Sequence, residues 1–215
     1  MYQASCQYRL GASDVQLAGF VGGAWNIGIM LEPTEELTAL QNLLDTSAAA
    51  AGPHMRAIVT DERRMSAAAL ARRLQGMRLL TVATVTADGR PLTGPFDGYF
   101  LHGSWWFSSG PDAVRIRHLK ARPAVSATHL PGEELSVTVH GHAELFDLQG
   151  PECADLRQAM LDFYLPKQGP AFQEWMEGLT GGIGVRIDAR KLFTFSAEAE
   201  TEVEAEPEAA PEVRS

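Results

Sequence analysis

Hydrophobic and polar positions between residues 79 and 107 lay out three strands in succession. Leu79-Leu80-Thr81-Val82-Ala83-Thr84-Val85-Thr86 is apolar or β-branched at every position, which suits a strand lining a closed barrel or buried on both faces. Asp88-Gly89 follows, and glycine accepts positive φ without steric cost. The pair therefore predicts a hairpin turn and an antiparallel partner strand running from Pro91 to about Leu101. His102-Gly103 predicts a second tight turn, and Trp105-Trp106-Phe107 a third strand that ends where Ser108 and Ser109 open a polar turn. Residues 124–130 and 135–146 read as a fourth and fifth strand joined through Pro131-Gly132, and Gly181-Gly182 releases the chain into a further strand at 183–187. Six or so strands with interspersed helices point to an antiparallel barrel.

Helical periodicity fills the gaps. Leu37, Leu40, Leu43 and Leu44 follow Thr34-Glu35-Glu36 at the spacing of one amphipathic helix, and an alanine-rich linker occupies 47–52. Ser66 is a candidate cap for a helix over 66–74, and residues 151–164 and 171–179 are also expected to be helical. Between the third and fourth strands lies a short basic helix predicted to open at Pro111 and to end at Pro123. After Ser196 the chain alternates Glu with Ala, Val and Pro and is expected to be disordered. This predicts three parts: an N-terminal extension over 1–60, a barrel over 61–196 and an acidic tail over 197–215. Because the barrel pattern starts only after Met65, the native polypeptide is expected to begin at Met55 or Met65, which an intact mass from the native host would test.

Composition changes this picture little. At 215 residues and 45% hydrophobic, the chain suffices for one core domain with flanks. The net charge of −9 is mostly a property of the tail, which carries seven glutamates against one arginine. The remaining surface is not basic, which argues against nonspecific nucleic-acid binding. Cys6 and Cys153 form neither a disulfide framework nor a metal-type spacing, so a cytoplasmic location is expected. The apolar stretch over 15–31 contains Gln16, Asn26 and four glycines, too short and polar for a spanning helix, and no membrane association is expected.

Chemistry concentrates at Ser108-Ser109-Gly110-Pro111-Asp112-Ala113-Val114-Arg115-Ile116-Arg117-His118-Leu119-Lys120. Hydroxyls, a helix N-terminus and cations gather there within about three helical turns, and together they match what a phosphate dianion requires. A solvated basic helix face is the alternative reading of the same residues. His140 and His142 lie two apart on a strand and share a face, with Glu144 the one nearby carboxylate; a polar strand face accounts for them and no metal site is expected. Trp105, Trp106 and Trp175 read as core or interface aromatics. No Ser-His-Asp order, Walker loop or Gly-x-Gly-x-x-Gly fingerprint is present.

The order of these motifs, namely Thr81-Val82-Ala83-Thr84-Val85, Asp88-Gly89-Arg90-Pro91, Gly94-Pro95, Trp106-Phe107-Ser108-Ser109, Arg115, His118-Leu119 and Arg122-Pro123, resembles the pyridoxamine 5′-phosphate oxidase-like family. That family comprises flavin-binding split barrels, and Arg190-Lys191-Leu192-Phe193-Thr194-Phe195 looks like its closing strand. The resemblance, over residues 66–196, implies a mainly β fold: a six-stranded antiparallel split β-barrel of the FMN-binding type with flanking helices. It further implies a homodimeric FMN-dependent oxidoreductase acting on a small molecule, with the cofactor site between two barrels. Carried over position by position, it implies phosphate contacts from Ser108, Ser109 and Arg115, supplemented by Arg117, His118 and Lys120, and a ring lying near Val82, Ala83, Thr84, Gly94, Pro95 and Phe96. Two positions depart from the family pattern. Its oxidases carry a phosphate-gripping arginine on the second strand, where this chain reads Thr93-Gly94-Pro95-Phe96, and a helix position commonly Asn is His118 here. The family's Arg- and Trp-rich substrate segment is also absent, so the substrate is not pyridoxamine phosphate by this reading. The deazaflavin coenzyme F-420 in place of FMN, and a non-catalytic flavin- or heme-binding protein, are the alternatives. No catalytic acid or base is implied.

Overall fold

The computed structural model describes residues 33–197. The apolar stretch at 15–31, Cys6 and the acidic tail beyond residue 197 lie outside the described residues. Six antiparallel strands form a closed barrel: β1 (Met77–Val85), β2 (Pro91–Leu101), β3 (Ser104–Ser109), β4 (Ala124–His129), β5 (Leu135–Asp147) and β6 (Ile183–Ser196). Around the barrel they run β1-β2-β3-β6-β5-β4. With its flanking helices this is a split barrel of the pyridoxamine 5′-phosphate oxidase type.

Strand alternation decides which side chains fill it. Leu80, Val82 and Thr84 of β1 face inward and are fully buried, whereas Leu79 and Thr81 between them are exposed. Trp105 and Phe107 of β3 join the same core cluster, together with Val137, Val139, Val185, Ile187 and Leu192. The two runs expected at 183–187 and 190–195 are one strand, because a bulge lets His140 pair with Lys191 while Gly141 pairs with Ala189. Arg190 is the extra residue, and it reverses the phase of alternation: odd-numbered Val185 and Ile187 face the core before it, even-numbered Leu192 and Thr194 after it. In sequence that reversal looks like a break.

Three helices lie on the N-terminal side. Helix α1 (Thr34–Ala49) packs on β6 and sends Leu40 and Leu44 into the barrel's core cluster. The Ser47 hydroxyl accepts the Leu192 N–H at 2.9 Å, and Gln41 Oε1 accepts the Ala67 N–H at 2.8 Å. The packing unit therefore takes in residues well before position 61, where the sequence pattern draws the barrel's edge. Helix α2 (Pro53–Ile58) buries none of its residues. Helix α3 (Ala67–Arg73) is capped as expected, with the Ser66 hydroxyl accepting from the Ala69 N–H.

The basic helix requires a correction. Helix α4 spans Val114–Ala121, with Ala113 at its N-cap, so Pro111 is not its first residue. Residues 110–113 instead form a tight turn closed by the Ala113 N–H on the Gly110 carbonyl, and proline's fixed φ suits the second position of such a turn as well as it suits a helix start. Ser108 and Ser109 likewise end β3, paired with Gly184 and Ile183, and do not belong to the turn.

Beyond β5, a 3-10 turn at Pro151–Cys153 leads into α5 (Ala154–Gln168), and Gly169, at φ +68°, divides it from α6 (Pro170–Gly178). These two helices cover the outer side of β2 and β3 with a second apolar cluster that includes Tyr99, Trp106, Cys153, Leu156, Met160, Phe172 and Met176. Contact there is close: a Cβ on Gly184 would overlap the Cys153 sulfur. Burial pushes the Cys153 thiol above its ordinary range, which makes it a packing residue and a poor nucleophile. No helix among the described residues is long and apolar enough to cross a membrane.

Candidate functional site

Helix α4 sits at the barrel end nearest the β1–β2 turn, and its attachments define the site. Ile116 and Leu119, at i and i+3, insert into the core and leave the other faces of the helix for polar work. One polar tie is a 3.0 Å hydrogen bond between the Thr84 hydroxyl and His118 Nδ1. Thr84 is fully buried inside the barrel, and pairing with the half-buried histidine satisfies its hydroxyl. A second tie comes from Arg122, just past the helix, whose Nε donates to the Val85 carbonyl at 3.0 Å.

Arg115 makes the third tie. Its Nη2 donates to the Thr93 carbonyl at 2.7 Å, and the guanidinium lies over the Phe96 ring at 5.4 Å from the centroid. It reaches there because position 94 has no side chain: a Cβ on Gly94 would overlap Nη2. An arginine from α4 thus places its charge against β2, on the strand that lacks an arginine of its own. Arg115 Nε is buried without a hydrogen-bond partner. Arg117 and Lys120 are exposed, and Arg117 makes only a 3.4 Å contact with the Asp112 carbonyl. Among the described residues no carboxylate pairs with Arg115, Arg117 or Lys120. The first turn of α4 contains no acidic residue and no side chain caps it, so the positive helix end adds to Arg115 and Arg117 of that turn, while Lys120 stands in the last turn.

The structure sorts the candidate residues into groups. Val82, Thr84, Gly94, Phe96, Arg115 and His118 come together at the barrel end under α4. Ala83 and Pro95 point to the opposite, outer side of β1 and β2, as alternation from Val82 and Gly94 requires. Ser109 ends β3 on the inward phase of Trp105 and Phe107, while Ser108 faces the second cluster and donates to Met160 Sδ at 3.9 Å. The paired serines therefore do not address one ligand from the same side. Sequence reasoning missed Arg122 and the Thr93 carbonyl. The only signal for them was the placement of Arg122-Pro123 at the helix end, which the structure turns into a tether.

His140 Nδ1 is 2.8 Å from the Ser126 hydroxyl, and no group of His, Cys, Asp or Glu among the described residues is arranged to hold a metal ion. A cleft of about 880 Å³ lies between α1, α2, the 60–66 segment and β6, but none of the candidate residues lines it. Its Arg64 lies between Asp45 and Asp61.

An anion fits the α4 end on the donor set: one guanidinium with an unpartnered Nε–H and two further cations, none of them ion-paired among the described residues. Among solved structures, the chain is similar to a conserved hypothetical protein of Mycobacterium tuberculosis, with 22% identity, a TM-score of 0.52 and coverage of 63% of this chain and 88% of that one. It is also similar to a pyridoxamine 5′-phosphate oxidase-related, FMN-binding protein of Nostoc punctiforme (19% identity, TM-score 0.42, covering 57% and 76%). A heme storage protein of Vibrio cholerae is similar at 16% identity and a TM-score of 0.46, covering 66% and 94%. No curated protein matches the sequence. Residues 66–174, from the Ser66 cap into α6, match the pyridoxamine 5′-phosphate oxidase family, and the chain belongs to that family.

Proposed function

We propose that this protein is an FMN-dependent oxidoreductase acting on a small molecule, in which α4 holds the cofactor phosphate. The observation that carries the reading is the set of uncompensated cations on α4, with Arg115 laid across Gly94 to bring its charge against β2. Family membership supports a flavin as the anion's owner. When bound, the flavin supplies the redox chemistry. The chain's own part is to bind and orient it: Arg115 and Lys120 neutralise the phosphate, and the His118–Thr84 bond fixes the α4 backbone relative to β1.

The working unit is a homodimer with the site at its interface. Outward positions of β1, β2 and β4 support this, because Leu79, Thr81, Ala83, Thr93, Pro95, Ser126 and Thr128 form a face whose one charge is Asp97. Leu79, at 64% exposure, stands uncovered on that face. A cytoplasmic location accompanies this reading. The deazaflavin coenzyme F-420 is the second reading, favoured by the absence of an arginine on β2 itself.

An absorption spectrum of the protein after reconstitution separates them. Oxidised flavin gives a band near roughly 450 nm, the deazaflavin one near roughly 420 nm, and heme a Soret band. Failure to bind either flavin type ends the oxidoreductase reading. Loss of the charge-assisted contact in Arg115→Ala should cost about 1.5 to 3 kcal/mol in cofactor binding, roughly 10- to 150-fold in Kd. An unchanged Kd removes Arg115 from the phosphate site.

A further inference from the structure

We propose that His102 is a proton-dependent clamp that ties the first turn of α1 to the first turn of α5. His102 occupies the β2–β3 turn with φ +53°, the one non-glycine residue with positive φ among those described. Its ring lies between two carboxylates from distant parts of the chain. Nδ1 is 3.1 Å from both oxygens of Glu36, and Nε2 is 2.8 Å from Asp155 Oδ2.

A carboxylate only accepts hydrogen bonds, and neutral imidazole has a single N–H. Both contacts form together only when the ring carries two protons. The arrangement is therefore that of the imidazolium, and removing its proton leaves one carboxylate facing a lone pair. Glu36 and Asp155 each sit in the first turn of a helix that has no side-chain cap. The ring borders a hollow of about 380 Å³ lined also by Glu152 and Arg186, and Arg186 is neutralised by Glu144 across the β5–β6 pair at 2.6 Å. The side chain is 43% exposed, so its proton exchanges freely with water.

Further along α1, Leu40, Leu44, Gln41 and Ser47 are held by contacts that do not titrate. The clamp therefore acts on the start of α1 and not on its docking as a whole. Stabilisation is present while the ring is protonated and is lost as pH rises through its titration, within the range of roughly pH 5 to 8 in which imidazoles change charge.

Hydrogen exchange on the full chain at pH 5.5 and 8.0, corrected for intrinsic rates, reads this directly. The first hydrogen-bonded amides of α1, Leu37 to Leu40, should lose about two- to five-fold in protection relative to those of α4 on going to the higher pH, the scale of an exposed ion pair. His102→Asn, chosen because asparagine tolerates left-handed backbone, should hold the lower protection at both pH values. A parent protein without the pH effect, or a variant that keeps it, overturns the clamp. Should the variant not fold, the imidazole nitrogen shifts of the parent decide: two N–H groups at pH 5.5 support the clamp, and a neutral ring at that pH overturns it.

Discussion

Two helical elements close off this barrel, and they do so by opposite means. The α5–α6 pair covers the outside of β2 and β3 through apolar side chains, with Leu156, Met160, Phe172 and Met176 against Tyr99 and Trp106. Helix α4 buries only Ile116 and Leu119 and relies otherwise on Arg115, His118 and Arg122 reaching strand ends. The apolar side even leaves polar atoms orphaned, since Tyr99 Oη and Trp106 Nε1 are buried without partners. The contrast teaches where binding and stability separate. Packing energy resides in α5–α6, while at α4 the arginine that helps fasten the helix is also the one proposed to hold a ligand.

The comparison breaks most readily at Phe172. Phe172→Ala should destabilise the protein by about 3 to 5 kcal/mol in chemical denaturation while the cofactor Kd of the folded fraction stays unchanged. A large change in Kd would mean that α6 belongs to the site. Next in size is Gly94→Ala, which expels the Arg115 guanidinium from β2. It should cost about 1 to 3 kcal/mol in stability and weaken flavin binding in titrations, whereas Arg115→Ala should weaken binding with a smaller stability loss.

A smaller effect appears only in alkali. Burial, with lesser repulsion from Tyr164 and Asp97, raises the Tyr99 phenol well above its ordinary range. Above about pH 10 the unfolded chain releases a proton that folded Tyr99 retains, so stability falls as pH rises, by up to about 1.4 kcal/mol per unit. Tyr99→Phe should remove that share of the slope between pH 10 and 11 in denaturant midpoints. Smallest is Lys120→Ala, expected to weaken flavin binding by about 0.2 to 1 kcal/mol at low salt and by less as salt screens the exposed charge.

Much of the barrel was legible because each of its signals is local. Asp88-Gly89 and His102-Gly103 mark turns by their own chemistry, and the Ser66 cap sits where a hydroxyl must precede a helix. What stayed hidden depends on distant partners. The β6 bulge is visible only against β5, since Arg190 is extra solely in relation to His140 and Gly141. Pro111 is compatible with a turn and with a helix start, and the Gly110–Ala113 hydrogen bond decides between them. At the site, cations at 115, 117 and 120 could be read from the sequence, but not that Arg115 would fold inward over Gly94 while Ser108 turned toward Met160. Side-chain direction at a strand end is set by the sheet, and the sheet is assembled from the whole chain.

The closing strand has a consequence in time as well as in space. β6 pairs with both β3 and β5, and its Leu192 N–H is also the partner of Ser47 on α1. A nascent chain with β1 to β5 already made still has two open sheet edges and an α1 without its β6 partner. Residues separated by more than half the chain must meet before either is satisfied, and such long-range closure is slow compared with helix or hairpin formation. During synthesis the first helix described here therefore waits for the last strand, and the barrel locks at both places in one late step.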